Sequence, residues 1–88
     1  MKIKYNFVVR EVADKMVAIA VEENPESFNG MLTLNDSGAF IFKLLQEGAD
    51  MNTLVAKFLK EYDATREQAE NTITKFVEKL REANLIEE

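Results

Sequence analysis

Residues 34–45, LNDSGAFIFKLL, decide how this chain folds, because a short apolar run meets a capping residue there and a helix begins. Asn35 is a strong N-cap type: its side-chain oxygen accepts an amide proton that the first helical turn leaves unpaired, so Asn35→Ala is expected to cost about 1 kcal/mol. Gly38 gives up roughly 0.5 to 1 kcal/mol of helix propensity relative to Ala, which points to another backbone or a large side chain packed close to it. Ile41, Phe42, Leu44 and Leu45 supply the apolar face of the helix. A strand running directly into such a helix ties the two halves of the chain together.

Upstream, residues 2–12 alternate as a strand does when one face meets a core, with Ile3, Tyr5, Phe7 and Val9 interleaved by Lys4, Asn6, Val8 and Arg10. Asp14 and Lys15 are the expected turn. A second strand follows over residues 16–21, with Val17, Ile19 and Val21 on one face and Met16, Ala18 and Ala20 on the other. Residues 22–30 are acidic and hold the only proline, Pro25, with Asn24, Ser27, Asn29 and Gly30, a loop composition. Met31–Leu34 is then a short third strand, Leu32 and Leu34 facing one way and Met31 and Thr33 the other.

Downstream the periodicity becomes helical. The first helix spans 36–47 and meets Gly48, a natural left-handed stop. A second starts after Asp50 and carries Leu54, Val55, Phe58, Leu59 and Tyr62 at helical spacing. The third opens at Thr65 with Gln68 three residues on, the spacing of a capping box. Its apolar seam is Ala69, Ile73, Phe76, Leu80 and Ala83, flanked by Val77. Asn84, which tolerates the left-handed conformation, ends it, and Leu85 and Ile86 fold back as a clasp. The expected architecture is therefore a single α+β domain over residues 1–88: a three-stranded antiparallel sheet followed by three helices. The second and third helices, joined through Asp63 and Ala64, form a winged helix-turn-helix-like corner.

Composition narrows the chemistry. With 88 residues there is room for one modest core. No cysteine and no histidine means no thiolate metal site, no thiol nucleophile and no imidazole base, so neither a catalytic residue nor a metal or other cofactor is expected. Glu22, Glu23 and Glu26 crowd one loop but lack the Asp-x-Asp-x-Asp-Gly spacing of a calcium loop, and a solvated loop is favoured. Asp36-Ser37 at a helix start resembles the phosphopantetheine serine of acyl carrier proteins, yet the residues before it alternate as a strand where carriers have a helix. Sixteen acids against eleven bases give a net charge of −5, which opposes attraction to nucleic acid or anionic membranes. A DNA-reading helix gathers basic residues on one face, whereas the third helix mixes Lys75, Lys79 and Arg81 with Glu70, Glu78 and Glu82. No long apolar stretch or signal-peptide pattern is present, so a cytoplasmic protein is expected.

The third strand carries the sharpest clue. Three strands in meander order leave it at the sheet edge, with a row of unpaired donors and acceptors that invites another strand. A loop or a terminus covering that edge is one reading, and strand addition by a peptide is the other. The same edge can pair with a second copy, giving a homodimer.

The residues Leu34-Asn35-x-x-Gly38, then Ile41-Phe42, Leu44-Leu45, Gly48, Tyr62-Asp63, Ala69 and Phe76-Val77-x-x-Leu80-x-x-x-Asn84-Leu85-Ile86, together resemble the PqqD-like family, the pyrroloquinoline quinone synthesis protein D type domains also called RiPP recognition elements. Phe42 stands where that family often has Trp, and Asn84 where it often has Gly; each keeps the physical role. The resemblance implies a non-enzymatic, winged-helix-like domain. It binds the leader segment of a ribosomally made precursor peptide and presents it to a modifying enzyme, often a radical SAM maturase. It further implies that the leader adds as a strand to the backbone of Met31, Leu32, Thr33 and Leu34, and lies against Phe28, Thr72, Lys75, Phe76 and Lys79. The alternative is a winged-helix nucleic-acid or protein-interaction domain with no peptide client.

Overall fold

A computed structural model of the chain describes residues 1–21 and 31–88. The elements in order are β1 (Lys2–Ile3), β2 (Phe7–Val12), β3 (Lys15–Ala20), β4 (Met31–Leu34), α1 (Asp36–Glu47), α2 (Met51–Glu61), α3 (Arg66–Glu82) and β5 (Ile86–Glu87). An antiparallel sheet of order β2-β3-β4 is followed by the three helices, the α+β arrangement expected, and β4 is the third strand read from the sequence.

Register decides which side chains reach the core. Phe7 pairs with Ala20 and Val9 with Ala18, while Ala18 and Met16 pair onward with Leu32 and Leu34. Because side chains alternate across a sheet, these seven share the face turned to the helices. Val8, Val17, Ile19, Met31 and Thr33 lie on the other. Behind the inner face Phe42, Leu45, Leu54, Ile73 and Leu85 are fully buried, and the ring of Phe7 meets Phe42 edge-on with centroids 5.4 Å apart. Gln46 Nε2 donates to the carbonyl of Phe7 at 2.8 Å, tying α1 to the first strand of the sheet.

Two strand boundaries differ from expectation. The alternating run over residues 2–12 is not one strand: Lys2 and Ile3 pair with Glu87 and Ile86 in a separate two-stranded sheet. The chain changes sheets at Lys4–Asn6, where the Lys4 amide donates to the Leu85 carbonyl (2.8 Å) and the Asn6 carbonyl accepts from Val21 (3.1 Å). Leu85 and Ile86 do fold back as the expected clasp, and the backbone they offer is what captures the N-terminal segment. The hairpin turn lies one residue earlier than Asp14 and Lys15. Ala13 (φ 51°) and Asp14 (φ 68°) form it, and Lys15 opens β3 opposite Val12. Positive φ at both central residues matches the right-handed twist of the flanking strands, so the hairpin geometry overrides the poor left-handed tolerance of alanine.

The helix ends follow their capping residues. Asn35 Oδ1 accepts the Gly38 amide at 2.7 Å, Gly48 stops α1 at φ 95°, and Thr65 and Gln68 bond each other's amides as a capping box. Asn84 adopts φ 62° after α3, and Leu85 returns its amide to the Leu80 carbonyl at 2.9 Å. Phe40, Phe58 and Tyr62 pack together where α1 meets α2, with the Tyr62 ring 5.6 Å from Phe40 and 4.7 Å from Phe58.

Asp50 caps α2 by accepting the Thr53 amide at 2.8 Å, and that hydrogen bond holds its carboxyl below the ordinary value of 3.8. A carboxyl lowered in the folded state adds stability above its unfolded pKa, and that contribution is lost as pH falls through the folded one. Acid titration of Asp50→Asn, followed by circular dichroism, should therefore show a weaker fall in stability below pH 3.8 than the parent chain. An unchanged acid limb would remove the cap from the account.

Candidate functional site

β4 occupies an edge of the sheet. Its one strand partner among the described residues is β3, so its outward backbone groups have no ladder to complete. Beside that edge runs α3, and between the two lies a trough in two adjoining parts that share lining residues.

The end nearer the start of α1 encloses about 210 Å³ between Asn35, Ser37 and Gly38 on one side and Thr72, Lys75, Phe76 and Lys79 on the other. The end beside β4 encloses about 160 Å³ and is bounded by Leu32, Thr33 and Leu34 against Phe76, Leu80 and Ala83, with Lys79 again at its rim. Asn35, Phe76 and Lys79 border both parts. The structure thus brings Leu32, Thr33, Leu34, Thr72, Lys75, Phe76 and Lys79 to one groove. Met31 continues the edge through its backbone, while its side chain is exposed on the opposite face of the sheet. Phe28 lies outside the described residues, as does the Glu22, Glu23 and Glu26 cluster.

Sequence reading missed the far wall of the trough, which Asn35, Ser37, Gly38 and Ile41 provide, and the contribution of Leu80 and Ala83 at its floor. One signal was present. Gly38 in a helix interior implied a close neighbour, and the neighbour is Phe76: a Cβ at Gly38 would stand 3.0 Å from Phe76 Cε1 and 2.9 Å from Asn35 Oδ1. That contact draws the Phe76 ring toward α1, leaving it half-buried, whereas Val77, read as a flank of the seam, is 2% exposed in the core. Gly38→Ala should consequently fail to stabilise the chain. The gain in helix propensity of about 1 kcal/mol is offset by displacing a cap of similar value and by crowding the ring, for a net loss of up to about 1 kcal/mol. A urea midpoint above that of the parent would show that the contact is loose.

The charges of α3 are sorted rather than evenly mixed. Arg66 pairs with Glu70 at 3.3 Å, and Arg81 pairs with Glu78 at 3.0 Å and with Glu88 at 2.7 Å. The Glu88 carboxylate holds the Arg81 guanidinium above its usual range, and Arg81 in turn lowers the carboxyl of Glu88. Lys75 and Lys79, on the trough side, have no ion-pair partner among the described residues. No grouping of acidic residues suited to a metal ion occurs among them either. The trough presents backbone groups of β4, apolar side chains and these two lysines. No helix there is long and apolar enough to cross a membrane.

No curated protein matches the chain significantly. Among solved structures it is similar to TbiB1 in complex with the TbiA(beta) leader peptide, with a TM-score of 0.75 and 25% identity over 99% of this chain and 95% of that one. It also shares the fold of a lasso peptide synthetase B1 complexed with its leader peptide, with a TM-score of 0.70 and 23% identity over 96% of this chain and 93% of that one. The family model for coenzyme PQQ synthesis protein D (PqqD) matches residues 9–86, and the chain therefore belongs to the PqqD family.

Proposed function

We propose that this chain binds the leader segment of a ribosomally made precursor peptide and presents it to a modifying enzyme, itself performing no chemistry. The observation that carries this reading is the edge of β4, which among the described residues pairs with β3 alone, lying alongside the α3 trough, in a fold shared with TbiB1, which was solved with a leader peptide. The leader adds as a strand to the backbone of Met31, Leu32, Thr33 and Leu34, and its inward side chains enter the trough over Thr72, Lys75, Phe76 and Lys79. A radical SAM maturase is the modifying partner that the family resemblance suggests. The same edge offers a second copy of the chain a route to a homodimer, in competition with the peptide.

The energetics suit a transient binder. A short added strand contributes a few backbone hydrogen bonds at a net of about 1 kcal/mol each. Each leader side chain buried in the trough adds about 1.5 to 3 kcal/mol. After the cost of association, a micromolar complex of about −8 kcal/mol follows. Held in this way, the rest of the precursor reaches the modifying enzyme at an effective concentration of roughly millimolar, so the modified segment needs little affinity of its own.

The test is titration of the isotope-labelled chain with the leader of a precursor encoded beside it. Amide shifts concentrated in β4 and α3 are expected. Shifts spread elsewhere, or salt-sensitive binding to random-sequence DNA in place of peptide binding, would overturn the reading in favour of a winged-helix nucleic-acid domain.

A further inference from the structure

The two ends of the trough differ in chemistry, and that difference specifies the guest. At the β4 end the side chains of Leu32, Leu34, Leu80 and Ala83 surround the half-buried ring of Phe76, an apolar floor suited to one branched or aromatic side chain. At the α1 end Ile41 and Phe76 are joined by the polar side chains of Asn35, Ser37, Thr72, Lys75 and Lys79. Asn35 and Ser37 stand on the α1 side and Thr72, Lys75 and Lys79 on the α3 side, and among the described residues no acidic residue lines either end.

The cations here are free in a way the others of this helix are not. Arg66 and Arg81 are neutralised by Glu70, Glu78 and Glu88, whereas Lys75 and Lys79, one helical turn apart, have no carboxylate partner among the described residues. Asn35 Oδ1 is already committed to the Gly38 amide and the Ser37 hydroxyl, which leaves the Asn35 NH2 group as its remaining donor. Every uncommitted polar group just named, apart from hydroxyl lone pairs, is thus a donor or a cation.

We propose that the peptide taken up along β4 carries an acidic side chain seated at the α1 end, between Lys75 and Lys79, next to an apolar side chain that fills the end floored by Phe76 and Leu80. This rests on the strand-addition reading above. The chain as a whole carries a charge of −5, so at long range it repels an acidic peptide. Within a Debye length of about 8 Å the two lysines outweigh that field, and they act once the strand has docked. The acidic residue therefore governs how long the peptide stays and which peptide is kept, and contributes little to the rate of encounter.

The experiment uses a display library of random peptides selected against the full chain, in parallel with the Lys75→Gln/Lys79→Gln double variant and the Lys75→Glu/Lys79→Glu reversal. All four substitutions fall on exposed positions of α3, so the fold is retained. The parent should enrich peptides with Asp or Glu at a fixed spacing from an apolar residue. In the Gln variant the acidic preference disappears while the apolar one remains, and the reversal replaces it with Lys or Arg. A selected acidic peptide should lose about tenfold in affinity for the Gln variant, as two exposed ion pairs imply, and Lys→Arg at both positions should restore it. Enrichment of apolar peptides with no acidic preference, or an acidic preference unchanged by the Gln variant, overturns this proposal and leaves strand addition standing. Recovery of no peptide that shifts β4 amides overturns both.

Discussion

Phe76→Ala should weaken leader binding by roughly ten- to a hundredfold, the loss of about 1.5 to 3 kcal/mol that a ring covered on complex formation supplies. The side chain borders both parts of the trough, so a segment seated in either part lies beside it. The same ring packs over Gly38 and against the core, and its removal also costs stability. A fully buried Phe→Ala change costs about 3 to 5 kcal/mol, and for this half-exposed ring about 2 kcal/mol is expected. Fluorescence anisotropy with a labelled leader separates the two effects when run well below the unfolding midpoint. Phe76→Leu, which keeps an apolar floor, should recover much of the affinity. A stability loss with unchanged Kd would make Phe76 a core residue alone and move the binding surface elsewhere.

Phe42→Ala should bring the fold close to collapse. Phe42 is fully buried at the centre of the helical face and meets Phe7 across the sheet, so truncation removes about 3 to 5 kcal/mol. A domain of 88 residues has in total about 4 to 13 kcal/mol to lose, at about 0.05 to 0.15 kcal/mol per residue. Urea denaturation should show the midpoint falling by about a quarter or more, or no folded baseline at all. The companion variant Phe42→Trp probes how tightly this position is packed. With no exposure left at this site, the larger ring overpacks it and should cost about 1 to 3 kcal/mol. A stabilised Trp variant would show unfilled space around Phe42 and contradict the tight packing inferred from its full burial.

What the sequence disclosed and what it withheld divide along a physical line. Asn35, Gly48, Thr65 with Gln68, and Asn84 were legible because a cap is settled by residues within one helical turn, and the inner faces of β2, β3 and β4 because a pleated strand repeats every second residue. The β1–β5 pair was not legible: two residues at each end of the chain pair across more than eighty positions, and no local periodicity records it. The turn at Ala13 and Asp14 was displaced because alanine at positive φ carries no turn signal; its conformation is imposed by the strands on either side. In the candidate site, the edge position of β4 could be anticipated from the strand order, and the α3 residues that line the groove were named only through the family resemblance. The opposite wall could not, since Ser37, Gly38 and Ile41 become its lining only when α1 is laid beside α3. The sorting of charge on α3 was likewise hidden, because a run mixing Lys75, Glu78, Lys79, Arg81 and Glu82 reads as a solvated face until its ion pairs are known.

Amide hydrogen exchange across Met31–Leu34, measured with and without bound leader, addresses the open edge of β4 most directly. In the free chain alternate amides of β4 should exchange quickly, since in an antiparallel pair every second residue turns its N–H away from β3, and those same amides should become protected when leader is present. Uniform protection of β4 before any peptide is added, or protection that appears on β2 in its place, would contradict the account.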